Sequence, residues 1–206
     1  MTSQKKQFEL LQESTIYQGF FNLIRYKVRH TLYRGGWGRV LDRELFQRGD
    51  CVAVVLYDPV TDEVVLIEQF RVGAIRSRGD QWLLEIVAGA IEPGESPSEV
   101  AFREAEEEAG CDIQELIQIS EFYTSPGGSS EKITLYCGKV DASNLGGVHG
   151  LEHEDEDIFV SVVSLDEALE KIKTGAIESA IPIIALQWLA LNRERLRDEW
   201  DAVVLE

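Results

Sequence analysis

The chain has 206 residues, 44% of them hydrophobic, with 20 Lys/Arg against 37 Asp/Glu and a formal net charge of −17. That length and apolar content support one large domain, or one domain with an appendage, and exclude disorder as the default reading. The charge argues against nucleic-acid binding and against an anionic membrane surface, because both need a Lys/Arg footprint.

Residues 1–15 read as a polar, mobile lead-in. From Phe20 to His30 the chain alternates, with Ile24, Tyr26 and Val28 on one face and Arg25, Lys27 and Arg29 on the other, as in a half-exposed strand. Gly35 to Gly38 is a turn and Val40 to Phe46 a second strand. This antiparallel unit, residues 1–48, is too small to fold alone and must pack on the rest of the chain or on a second subunit. The main domain is expected over residues 49–206.

That domain opens with the strand CVAVVLY (51–57), a turn at 58–62 and the strand EVVLIEQF (63–70). QWLLEIVAG (81–89) is strand-like, and Pro93, Gly94 and Pro97 make 90–97 a loop. Ser96 as N-cap, Pro97 in the first turn and Glu99 completing a capping box predict a helix that runs to Gly110. Strands follow at 115–125, 132–140 and 158–164, separated by a Pro-Gly-Gly loop at 126–128 and a Gly-rich, acidic loop at 141–157. Ser164 caps a helix to Thr174 with Gly175 as its stop, and a last helix runs from about Ile181 to Trp200. Many strands around few helices imply an α/β sandwich with a mixed sheet. The three cysteines, Cys51, Cys111 and Cys137, form no CxxC pair and read as buried, reduced thiols of a cytoplasmic protein. No apolar run is long enough to span a bilayer.

The helix over 97–110 carries an anomaly. Its last turns read REAEEEAG (103–110), with four glutamates where the macrodipole favours cations. On a helical wheel Phe102, Ala105 and Ala109 make the packing face, while Glu104, Glu107 and Glu108 gather on the other side. Arg103, four residues before Glu107, is the one local cation. A divalent cation such as Mg²⁺, which prefers hard oxygen ligands, would relieve both the repulsion and the dipole conflict.

Gly89, Glu95, Arg103, Glu104, Glu107, Glu108 and Gly110 fit the spacing G-x5-E-x7-R-E-U-x-E-E-x-G-U, with apolar Ala105 and Cys111 at the U positions. The pattern resembles the signature of the Nudix hydrolases and extends the expected fold to their α/β/α sandwich. The resemblance implies Mg²⁺-dependent hydrolysis of a nucleoside diphosphate linked to another moiety, with two or three metal ions per site and Mn²⁺ as a substitute. By the family pattern Glu104 and Glu108 are metal ligands, Glu107 is a ligand or supports one, and the carbonyl of Ala88 is a further ligand.

Features outside that signature narrow the expectation. Pro126, fifteen residues beyond Cys111, lies in SPGGSSE (125–131), which looks like the bacterial ADP-ribose pyrophosphatases and marks Ser125 and Glu131 as substrate contacts. The loop GLEHEDED (150–157) resembles a mobile loop of those enzymes, with Glu154 as general base and Glu156 as metal ligand. Five acids in the six residues 152–157 leave the choice between Glu154 and Glu156 open, and His153 is a further candidate base. Arg71, at a strand end, is placed to reach substrate phosphates. The family's N-terminal segment swaps between the subunits of a homodimer and helps to bind adenine, which assigns Phe20 a stacking role and Arg43 a polar contact. The expected substrate is ADP-ribose. A GDP-mannose or other nucleotide-sugar pyrophosphatase is the nearest alternative, and a non-catalytic ligand sensor is an alternative of another class.

Overall fold

A computed structural model of the chain describes residues 5–76 and 79–201. The chain divides into two compact units, Met1–Asp50 with Tyr123–Lys132, and Cys51–Phe122 with Ile133–Glu206. The first holds a three-stranded antiparallel sheet of β1 (Phe8–Gln18), β2 (Asn22–His30) and β3 (Leu41–Gln47), in that order. Cross-strand ion pairs fix its register: Glu9 lies opposite Arg29 and bonds it at 2.7 Å, and Arg25 lies opposite Glu44 at 3.1 Å. Residues 123–132 extend this unit, because the Phe46 N–H donates to the Gly128 carbonyl at 2.8 Å and the Ser130 N–H to that of Phe46 at 3.1 Å.

β1 corrects the expectation of a mobile lead-in, whose residues 1–4 lie outside the described ones. Its pairing with β2 slips between Leu10 and Gln12 and again between Thr15 and Tyr17. Those irregularities break the period of two by which a strand is recognised.

The second unit is built on a mixed sheet. β4 (Cys51–Asp58) is buried at every position, as a central strand covered on both faces must be, and this explains its unbroken apolar run. It pairs antiparallel with β5 (Glu63–Phe70) only near their shared turn, over Leu56–Asp58 and Val65–Glu63. The two strands then diverge. β6 (Trp82–Glu85) pairs with the far end of β5, and β7 (Val87–Ala90) with the far end of β4. The single strand expected over 81–89 is therefore two, split at buried Ile86 because its halves serve different partners. β8 (Glu115–Tyr123), β9 (Lys132–Lys139), the short β10 (Gly147–His149) and β11 (Ile158–Ser164) complete the order β10-β11-β5-β4-β9-β8, in which β9 lies parallel to β4.

Helices cover both faces. α1 (Pro97–Ala109) packs by Val100, Ala101, Ala105 and Ala109 on one apolar cluster with Val52, Val54 and Ile67. On the other face α2 (Leu165–Thr174) and α3 (Ala180–Asp201) supply Leu165, Ala168, Leu186, Leu189 and Leu196 to a cluster with Val55, Leu66 and Leu135. The caps read from the sequence are in place. Ser96 and Glu99 form the capping box of α1, Ser164 accepts the Glu167 N–H, and Gly110 and Gly175 end their helices in the left-handed conformation. The wheel placed Phe102 on the packing face of α1, but that side chain is 44% exposed and Glu108 takes an inner position instead. The inner face is made of alanines, which let the helix lie close to the sheet and leave the bulkier Phe102 at its margin.

Candidate active site

α1 turns Glu104 and Glu108 toward β7. Gly89 on β7 makes that approach possible, since a Cβ there would stand 1.8 Å from Glu104 Oε1. Glu108 is 3% exposed. Its Oε2 accepts the Ala88 N–H at 3.0 Å, and its Oε1 takes a long 3.5 Å bond from the amide of buried Gln69. Burial drives the Glu108 carboxyl up to about 8, the Ala88 bond and the Arg71 charge oppose this, and Glu104 and Glu156 add to it. Glu104 is likewise pushed up, first by burial, against the pull of Arg103, with Glu107 and Glu156 contributing. Glu156 therefore shares the field of both helix glutamates.

Arg103 organises the outer edge. Its Nε bonds Glu95 at 3.1 Å, and its Nη1 bonds Glu104 at 2.8 Å and Glu107 at 2.9 Å. Partial burial opposes the charge on Arg103, but these carboxylates outweigh it and raise the guanidinium above its ordinary value. Arg103 thus serves three acids, and among the described residues no ion pair reaches Glu108 or Glu156. Glu156 Oε2 is held by the Leu151 N–H at 3.1 Å. The loop that carries it is fastened to α1, where the Gly150 N–H donates to the Glu107 carbonyl at 3.2 Å.

Among the described residues no three His, Cys, Asp or Glu side chains already converge as a cage for a metal ion. Each carboxylate instead takes a partner of its own: Arg103 for Glu104, the Ala88 N–H for Glu108, and the Leu151 N–H of its loop for Glu156. The donor chemistry still fits a hard divalent cation. Half-buried Glu104, buried Glu108, the nearby Glu156 and the glycine cradle at Gly89 form an acidic site rich in carboxylate oxygens.

Not every expected residue joins this cluster. Glu154 ends the 3-10 turn Glu152–Glu154 with its side chain 56% exposed, 3.6 Å from His153. Arg71 is near enough for its charge to act on Glu108, but its Nε is bonded to Glu85 at 2.7 Å. Phe20, Arg43, Ser125 and Glu131 belong to the first unit. Phe20 is almost fully exposed and meets Phe21 edge-on, and Arg43 lines an open hollow with Arg25, Asp42 and Glu44. The Ser125 carbonyl closes the 125–129 turn by accepting from Gly128 and Ser129. Glu131 is buried, bonded by Thr124 at 2.8 Å and paired with Arg48 at 2.9 Å. Sequence reasoning missed Gln69 and Glu85. Each is a polar residue within an apolar strand run, and that was the available signal.

The NUDIX domain pattern matches residues 47–185. The chain belongs to the NUDIX family. Its relatives include the ADP-ribose pyrophosphatase of Escherichia coli (strain K12), 45% identical over 97% of this chain and 96% of that protein. That of Haemophilus influenzae is 44% identical over 95% of this chain and 92% of the relative. The GDP-mannose pyrophosphatase of Cronobacter sakazakii is 39% identical, over 73% of this chain and 78% of its own length. Among solved structures, one described as an ADP compounds hydrolase shares the NUDIX fold at a TM-score of 0.68 and 24% identity, covering 97% of this chain and 98% of the other.

Proposed function

We propose that this NUDIX chain hydrolyses the pyrophosphate bond of ADP-ribose, giving AMP and ribose 5-phosphate, with Mg²⁺ as its cofactor. The observation that carries the reading is the level of identity together with its extent. The ADP-ribose pyrophosphatases are 45% identical over 97% of the chain, N-terminal strands included, whereas GDP-mannose pyrophosphatases are 39% identical over 73% of it or 32% identical over 91%.

Glu104, Glu108, Glu156 and the Ala88 carbonyl hold Mg²⁺, two or three ions per site, with Mn²⁺ able to substitute, and Glu107 supports them through Arg103. When bound, the metal neutralises the diphosphate and lowers the pKa of the attacking water. Arg71 receives phosphate oxygens, and Glu154, exposed on its loop, takes the water's proton when that loop closes. Phe20, Arg43, Ser125 and Glu131 contact the nucleoside and ribose portions. The active species is a homodimer.

The test is a turnover panel of ADP-ribose, GDP-mannose, NADH and dinucleoside polyphosphates with Mg²⁺, read by product identity. ADP-ribose is expected to give the highest kcat/KM and to yield AMP. A preference for GDP-mannose of more than about tenfold, or 1.4 kcal/mol in transition-state binding, overturns the substrate. Absence of any turnover overturns the enzyme in favour of a ligand sensor.

A further inference from the structure

The strand register brings a second acid to Arg71. Glu85 lies opposite Ile67 in the β5–β6 pairing, on the same side of the sheet as Gln69, and the Arg71 N–H donates to the Gln81 carbonyl at 2.9 Å. Arg71 lies two residues beyond Gln69, so its side chain leaves the backbone on that side too. It bonds Glu85 Oε2 through Nε at 2.7 Å. The other oxygen, Oε1, accepts the Ser179 hydroxyl at 3.0 Å. Ser179 directly precedes α3, and its carbonyl accepts the Ile183 N–H at 3.4 Å. Glu85 is thus held from both sides, with only 16% of its side chain exposed.

This arrangement answers a problem the site creates. Arg71 is close enough to stabilise the charge on buried Glu108. A guanidinium on a flexible stem would fold onto that carboxylate and block the place where cation and diphosphate must meet. Glu85 holds Nε instead, and among the described residues nothing bonds the Nη atoms, which leaves that edge to receive an anion in the side-on geometry arginine offers to phosphate oxygens.

We infer that Glu85 is a positioning residue, anchored by Ser179 at the start of α3, that keeps Arg71 off Glu108 and aims it at the substrate diphosphate. The inference rests on the reading of Arg71 as a diphosphate contact. A double-mutant cycle on the full chain tests it, with ADP-ribose turnover in Mg²⁺ and ADP-ribose affinity of the metal-free protein as the two readouts. Glu85→Gln, nearly isosteric, is expected to lower kcat/KM roughly five- to tenfold, mostly through KM, because a charge-assisted bond is lost. Affinity without metal should weaken in proportion. In the Arg71→Ala background the same substitution is expected to change neither readout by more than about twofold, since an effect exerted through Arg71 has then already been removed. Losses that multiply in the double variant overturn the inference, and so does a silent Glu85→Gln beside a damaging Arg71→Ala. A silent Arg71→Ala overturns the reading of Arg71 itself, and the inference with it. Should Glu85→Gln fail to fold, Ser179→Ala carries the same cycle, with an expected loss of about two- to threefold.

Discussion

Glu108 is asked to be two things. As part of a helix packed on a sheet it is a buried side chain, and in its proposed role as a metal ligand it must be an anion. Burial pushes its carboxyl up to about 8, far above the ordinary carboxylate range. Between the ordinary value and about 8 the folded protein therefore binds more protons than the unfolded one. Without metal, stability must then fall as pH rises through that window, by at most about 1.4 kcal/mol per unit. Glu108→Gln cannot titrate, so in EDTA its melting temperature should gain on the wild type from pH 5 to pH 8 and run parallel above that. Mg²⁺ should stabilise the wild type more than the variant, and the variant should lose most turnover. Thermal melts across pH with and without chelator check this. Parallel curves throughout would show that Glu108 does not carry the buried charge. The sequence disclosed this residue only through its spacing. The wheel grouped Glu108 with Glu104 and Glu107 away from the alanines, so nothing beyond the motif marked it as buried while Glu106 is exposed. Burial is a property of the face the alanines choose. Gln69 and Glu85 were illegible for the same reason, because each gains its meaning from a partner 39 or 94 residues away.

At the scale of elements, what is local was legible and what depends on a partner was not. Ser96, Pro97, Glu99 and Gly110 announce α1 because capping is chemistry within one turn. β1 and the division of 81–89 into β6 and β7 depend on which strand lies alongside, which periodicity does not encode. α1 also shows why its caps matter. Its last turn has no basic residue to offset the dipole, so its stability leans on the N-terminal box and the sheet contact. Ser96→Ala removes the acceptor for the Glu99 N–H and should cost about 1 kcal/mol. For a chain of this length that lowers the melting temperature by about 2–4 °C. Because α1 carries the glutamates proposed to bind metal, half-saturation for Mg²⁺ should also rise. Calorimetric melts and a Mg²⁺ titration of turnover would read the two effects, and an unchanged melting temperature would remove the box from the account of α1 stability.

On the scale of the molecule, charge and apolar surface are distributed unevenly along the chain. Residues 1–50 hold nine Lys/Arg and five Asp/Glu, while the remainder holds eleven against 32. The same N-terminal residues display Phe8, Tyr17, Phe20 and Tyr33 to solvent, each more than 60% exposed. A three-stranded sheet with so much apolar surface uncovered is marginal by itself. A basic surface bearing exposed aromatics and an acidic surface on the same chain are complementary, and two copies related by a two-fold axis satisfy both twice. The chain should therefore scatter light at twice its 23.2 kDa mass at micromolar concentration. Tyr17→Glu with Phe8→Glu, which bury charge if the aromatics are covered, should shift it to monomer while leaving the second unit folded by circular dichroism. Raising salt from about 0.05 to 0.5 M should weaken association if the charge asymmetry contributes, because screening reduces attraction between exposed charges. A wild-type chain that stays monomeric at 50 µM would show that the N-terminal aromatics have another use, and a dimer indifferent to both substitutions would place the interface elsewhere.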